Sequence, residues 1–173
     1  MTKHWRVLLV AVAIVFAVGC GDDDDNGGDP DSGYAALQGG AWESSCFVYD
    51  NSPQIFTLQF EGNHVDMHAR VYGDGDTECS GDVMFSGTIG HEYSVGEEVT
   101  TASGLTAKEI DLKVTHDPQG IAEDDESYDI FKIDGSILYR GVGHGTQPED
   151  RPDELDMDIP FQHFDDAMPN PDE

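Results

Sequence analysis

Basic residues are scarce in this chain. Eight Lys and Arg side chains stand against 36 Asp and Glu, which gives a formal net charge of −28 at pH 7. A field of this sign repels nucleic acid and anionic lipid headgroups, so both are excluded as electrostatic partners. The same acidity keeps a protein soluble and separated from its own copies, and we therefore expect a monomer.

Common catalytic signatures are also missing. The sequence contains no Gly-x-Ser-x-Gly, no His-Glu-x-x-His, no phosphate-binding P-loop and no Cys-x-x-Cys. These patterns are typical of hydrolases, metalloproteases, nucleotide hydrolases and dithiol redox enzymes. We predict a protein that is not an enzyme and carries no cofactor.

Long hydrophobic runs are absent except for residues 7–18, which are wholly apolar and follow Lys3 and Arg6. A helix of these 12 residues spans about 18 Å, which is too short for a bilayer core of roughly 30 Å. A charged start, a short apolar run and the small residue Gly19 are typical of an export signal. The sequence therefore predicts a signal peptide over residues 1–19.

The signal peptide ends in Ala17-Val18-Gly19-Cys20, which resembles the lipobox of bacterial lipoproteins. The resemblance implies cleavage before Cys20, followed by acylation of its sulfur and of the new amino terminus; plain secretion and an uncleaved anchor are the alternatives. Several acyl chains attach a protein stably, because each buried methylene contributes about 0.8 kcal/mol. Since Gly21 rather than Asp follows the cysteine, we expect the outer membrane, with the protein facing the periplasm or the cell surface.

Only three cysteines are present. Lipidation of Cys20 leaves Cys46 and Cys79 as a pair in an exported, oxidising setting, which predicts a disulfide between them. In the chain-entropy model, closing a loop of about 34 residues stabilises the fold by roughly 3–4 kcal/mol.

Apolar residues are also rare at both ends of the mature chain. Residues 20–38 begin with a run of Asp and Gly that cannot bury enough surface to fold, so they predict a lipidated cysteine followed by a disordered acidic tether. Residues 165–173 are acidic and contain Pro169 and Pro171, and they predict a disordered tail. One folded domain is expected over residues 39–164.

Within this domain, apolar and polar residues alternate with the period of a β-strand. Phe56, Leu58 and Phe60 share one face, and Asp134-Gly135 is typical of a tight hairpin turn. The predicted strands span residues 42–49, 54–60, 64–72, 83–89, 91–95, 106–115, 128–133, 136–140 and 161–164. Eight or nine short strands favour an all-β, antiparallel up-and-down barrel, because closure removes exposed sheet edges.

The motif Gly40-Ala41-Trp42 opens the first strand. It resembles the Gly-x-Trp motif of lipocalins and their calycin relatives, in which the tryptophan closes the base of an eight-stranded barrel and packs against a late basic residue. The resemblance implies a barrel-base role for Gly40 and Trp42, with Arg140 as a candidate partner. The last strand, in the segment FQHFDD, departs from the family because it does not end in a basic residue.

A longer resemblance is to a group of bacterial lipocalin-like lipoproteins. It rests on residues 42–46, 72–79, 90–96, 104–107, 138–139 and 151–152. A fainter resemblance is to the β-barrel domain of the adenomatosis-polyposis-coli down-regulated proteins, which are implicated in lipid binding. Both imply a lipocalin-like barrel.

Two patterns are candidates for metal binding. His64 and His68 flank Asp66 on one strand face, but at about 3.3 Å per residue they lie roughly 13 Å apart and cannot share an ion. A glycine-rich turn carries Asp74, Asp76, Glu78 and Asp82. This turn lacks the twelve-residue spacing of an EF-hand calcium loop. We predict a solvated strand face and an ordinary turn, with no metal.

These observations predict a lipid-anchored envelope lipoprotein whose lipocalin-like barrel binds a small apolar ligand or an acyl chain. The predicted ligand-binding residues are Phe56, Leu58, Phe60, Met67, Ile110 and Leu112. The alternative is a structural or adhesive envelope module with a filled barrel and no small ligand. Eight strands leave either a filled core or room for one small ligand, so the interior volume distinguishes the two.

Overall fold

The computed structural model describes residues 30–120 and 124–165. This part of the chain contains helix α1 (Pro30–Leu37), one 3₁₀ turn (Pro148–Asp150) and nine strands. The strands are β1 (Ala41–Ser44), β2 (Phe47–Tyr49), β3 (Ser52–Glu61), β4 (His64–Tyr72), β5 (Val83–Thr100), β6 (Thr106–His116), β7 (Glu126–Asp134), β8 (Ile137–Arg140) and β9 (Phe161–Phe164). The predicted signal peptide, Cys20 and most of the predicted tail lie outside the described residues.

Eight of the strands form a closed antiparallel barrel. From β3 to β9, each strand pairs with the next one in the sequence, β9 pairs with β1, and β1 pairs with β3. Strand β2 pairs with the first residues of β3 and lies outside the closed ring. The predicted all-β, up-and-down barrel is therefore confirmed. None of the helices in the described ranges is long and apolar enough to cross a membrane.

The predicted strand boundaries differ from the structure in two places. Strand β5 is continuous over 18 residues, although the pattern predicted separate strands over residues 83–89 and 91–95. Its pairing with β6 shifts register between Gly90 and His91, and such a bulge changes the phase of alternation without ending the strand. The predicted strand over residues 42–49 is divided into β1 and β2, because β3 changes its partner from one to the other.

The barrel interior is built by the alternating residues that the sequence predicts to share a face. Directly paired residues on neighbouring strands point to the same side, as Leu58 and Met67 do between β3 and β4. The main buried cluster comprises Leu37, Trp42, Leu58, Phe60, Val65, Tyr93, Ile110, Leu112, Phe131, Leu138 and Phe161. A smaller cluster joins Ala107, Ile130 and Leu155.

Helix α1 covers the base of the barrel. Leu37 is fully buried in the main cluster, and the ring of Tyr34 lies 5.2 Å from that of Tyr93. Gln38 donates from Nε2 to the hydroxyl of Tyr93, which itself donates to the carbonyl of Gly62, and burial raises the pKa of Tyr93 to about 12. The predicted disordered tether over residues 20–38 is corrected accordingly. Its last part, Pro30–Leu37, is a helix, because the side chains of Tyr34 and Leu37 pack against the barrel.

The disulfide between Cys46 and Cys79 is formed, with Cα atoms 5.7 Å apart, and the prediction is confirmed. It joins the connection between β1 and β2 to the turn that precedes β5. The bond therefore fixes the one strand outside the barrel to the rest of the domain.

Candidate functional site

The base of the barrel is closed by Trp42, which is 2% exposed. Its indole Nε1 donates to the carbonyl of Leu37 over 3.0 Å, and its ring meets that of His163 edge-on at 4.7 Å. A Cβ atom at position 40 would overlap the carbonyl oxygen of Phe164 and crowd the His163 ring, so Gly40 permits the close approach. Both residues of the predicted base motif lie at the base.

The partner of Trp42 is His163 rather than Arg140. Trp42 and His163 are directly opposite in the register of β1 and β9, whereas Arg140 forms an ion pair with Asp129. The segment FQHFDD therefore provides an imidazole where the family resemblance suggested a basic residue. No hairpin turn joins the first and last strands, so the sequence carries no signal for the register that places His163 opposite Trp42.

The lower half of the barrel is filled. The free volume among its lining side chains is about 20 Å³, which is room for roughly one water molecule. These side chains include Leu58, Phe60, Met67, Ile110 and Leu112, five of the six predicted ligand-binding residues. No ligand of several carbon atoms fits at this depth.

The upper half holds an open cavity of about 770 Å³, within the range of small-molecule sites. One side of this cavity is largely apolar and is formed by Tyr49, Phe56, Met67, Leu112 and Val114. The other lining residues are mostly polar and include Asp124, Asp125, Glu126, Ser127, His144 and Thr146. Of the predicted ligand-binding residues, Phe56, Met67 and Leu112 line the cavity.

The apolar wall continues above the mouth of the barrel. Phe85 pairs with Val71, which pairs with Gln54 on the same face of the sheet as Phe56. Phe85 is 51% exposed. An apolar surface therefore leads from solvent to the cavity.

Two nitrogen-bearing side chains, His91 and Arg140, line the cavity beside the apolar wall. Arg140 donates from Nε (2.9 Å) and Nη2 (2.6 Å) to Oδ2 of Asp129, which is completely buried. Oδ1 of Asp129 accepts from the backbone N–H groups of Ile130 and Gly141. Both carboxylate oxygens of this aspartate are thus engaged.

His91 lies opposite Val65 and Val114 in the sheet and is 8% exposed. Its Nδ1 has no hydrogen-bond partner among the described residues. Burial and the neighbouring Arg140 cation lower the pKa of His91 more than the backbone carbonyls of Val65 and Ile89 and the Asp66 carboxylate raise it. Near neutral pH the site therefore contains a neutral imidazole.

The sequence prediction omitted Asp129 and His91 and assigned Arg140 to the barrel base. The alternation of the sequence could have indicated all three, because each is a polar residue at a position where the other residues on the same strand face are apolar and point into the barrel. Asp129 alternates with Phe131 and Ile133, and His91 with Tyr93. A polar residue in such a phase indicates a paired group or a binding site.

The two candidate metal patterns lie on the outside of the barrel. His68 hydrogen-bonds through Nδ1 to the hydroxyl of Thr88 at 2.9 Å. In the glycine-rich turn, Asp76 accepts from the backbone of Gly81 and Ser80, and these bonds lower its pKa. In residues 30–120 and 124–165, no three His, Cys, Asp or Glu side chains are grouped to hold a metal ion.

Comparison with known proteins finds no family model and no curated protein that matches this chain. The function is therefore inferred from the barrel and its cavity.

Proposed function

We propose that this protein is a lipocalin-like envelope lipoprotein that binds a small, largely apolar molecule in the open end of its barrel. The observation that carries the proposal is the cavity of about 770 Å³ above a filled core. Phe56, Met67 and Leu112 give it an apolar wall, and the other lining residues are mostly polar; ligand sites commonly combine an apolar wall with polar groups that orient the ligand.

The filled lower half limits how far a ligand can enter. An acyl chain would occupy the upper half and the apolar surface that leads to Phe85. Each methylene buried there would contribute about 0.8 kcal/mol before the entropy loss of association. A chain of medium length is therefore a better fit than one threaded through the barrel.

The remaining parts of the proposal come from the sequence. Lipidation of Cys20 would attach the protein to the outer membrane, facing the periplasm or the cell surface. The net charge of −28 favours a monomer that does not bind nucleic acid. No catalytic role is assigned to the cavity.

Titration with a fluorescent fatty-acid probe tests the proposal, using the chain from residue 21, which retains every described residue. The parent protein should bind the probe saturably. Met67→Trp adds bulk where the filled core meets the cavity, so it should abolish binding while circular dichroism stays unchanged. Met84→Trp is the matched control, because Met84 is 73% exposed on the opposite sheet face and its replacement should leave binding intact.

A structural or adhesive envelope module is the second candidate. The exposed apolar side chains of Val48, Tyr49, Val83, Met84 and Phe85 favour it, since such patches often mark contact surfaces. A parent protein that folds stably and binds no probe would favour this alternative.

A further inference from the structure

We infer that the ligand enters the cavity polar end first, and that this end is an uncharged hydrogen-bonding group held by Nδ1 of His91. This inference rests on the proposed function, because it assigns a chemical class to the same ligand. Fatty alcohols and other molecules with one neutral oxygen belong to that class.

The first support is the unsatisfied nitrogen of His91. A buried polar atom without a partner destabilises the fold, and folded proteins rarely leave one. His91 is more than nine-tenths buried, lines the cavity and has no partner at Nδ1 within the described part of the chain. A hydroxyl oxygen can serve this nitrogen in either tautomer, because a hydroxyl both donates and accepts.

The second support is the balance of charge around His91. Arg140 would be the natural counterion for a carboxylate, but Asp129 already neutralises it through two hydrogen bonds. At the rim, Asp125 and Glu126 add negative charge, while Asp124 is paired with Lys113 at 3.1 Å. A carboxylate would therefore lose its hydration without gaining net positive charge.

A cationic end is disfavoured for a related reason. An ammonium group beside His91 would lose its hydration without meeting an unpaired carboxylate at that depth, because Asp129 is already bound to Arg140. At the rim, it would gain only an exposed ion pair, and such pairs contribute little at physiological salt. An uncharged oxygen loses less hydration than either ion when it enters the cavity.

The experiment is a competition assay at pH 7.5 with dodecanol, dodecanoate and dodecylamine against the fluorescent probe. Dodecanol is kept below its solubility limit, and the two ionic compounds are kept below their micelle concentrations. The chain from residue 21 is compared with His91→Phe and His91→Gln, after circular dichroism has shown that both variants are folded. Phe removes the hydrogen bond and adds apolar surface, whereas the Gln amide can still bond to a hydroxyl.

In the parent protein, dodecanol should displace the probe at the lowest concentration of the three. His91→Phe should weaken dodecanol about three- to tenfold, which is the range for one neutral hydrogen bond, and should leave dodecanoate within about twofold. His91→Gln should return dodecanol to within about twofold of the parent value.

Unchanged or tighter dodecanol binding by His91→Phe would overturn the inference, because the ligand then enters tail first or a water already satisfies Nδ1. Tighter binding of dodecanoate or dodecylamine than of dodecanol by the parent would overturn the charge argument. Those results leave the proposed function standing. Absence of saturable binding by all three compounds and the probe would overturn the proposed function and this inference together.

Discussion

The buried ion pair between Asp129 and Arg140 gives the sharpest prediction about stability. Asp129 is 0% exposed and accepts four hydrogen bonds, two of them from Arg140, whose side chain is 23% exposed. Asp129→Asn keeps the shape but removes the charge, so Arg140 is left largely buried without a counterion. Breaking a buried pair in this way commonly costs 3–5 kcal/mol.

Two features reduce that figure for Asp129→Asn. Water reaches part of the Arg140 side chain, and the Asn oxygen can still accept one or two of the bonds. We expect a loss of about 2–4 kcal/mol in the free energy of unfolding. For a domain of this size, such a loss corresponds to a melting temperature lower by about 10 °C.

Urea denaturation followed by circular dichroism measures this loss. Asp74→Asn is the control, because Asp74 is an exposed aspartate in a turn and its replacement should change stability by less than about 0.5 kcal/mol. Arg140→Met should destabilise at least as much as Asp129→Asn, since it leaves the fully buried carboxylate of Asp129 without a counterion. The double variant should be more stable than either single one. A loss below about 1 kcal/mol in Asp129→Asn would refute the reasoning.

The remaining predictions concern the cysteines and the cavity histidine. Cys79→Ala should lower the free energy of unfolding by about 3 kcal/mol, because it opens the Cys46–Cys79 loop; equal melting temperatures for variant and parent would contradict this. Cys20→Ser should release the protein from membranes, so quantitative recovery in the detergent phase would place the anchor elsewhere. Burial and the neighbouring Arg140 cation hold the pKa of folded His91 below the usual histidine value of 6.5, so its contribution to stability is present above pH 6.5 and is lost as the pH falls. His91→Gln should accordingly reduce the stability loss between pH 7.5 and 5, measured by urea denaturation, and parallel pH profiles would disprove this.

Much of the barrel could be predicted because one face of each strand is apolar. Phe56, Leu58 and Phe60 alternate cleanly, and their register with β4 is the one that a two-residue turn at Gly62-Asn63 requires. The pattern failed where the backbone departs from regular pairing. The bulge at Gly90 and His91 gave the alternation of β5 a break that looked like the end of a strand.

The candidate site was less predictable, because alternation assigns a residue to a face and not to a depth. Phe56 and Phe60 have the same phase, but one lines the open cavity and the other lies in the filled core. The difference arises from how far neighbouring strands extend and from helix α1, which contributes Leu37 to the lower half. Neither can be read from the period of a single strand.

The position of helix α1 has a consequence for the direction of ligand exchange. The helix covers the base, where Leu37 meets Trp42, while the cavity opens at the opposite end between Phe56 and Val114. The described chain therefore begins at the closed end, and the ten Cα–Cα steps from Cys20 to Pro30 can span at most about 35 Å. An attachment at Cys20 would keep the closed end nearer to the membrane and turn the mouth toward the aqueous space. A ligand of the proposed kind would then enter from the aqueous side rather than directly from the lipid beneath.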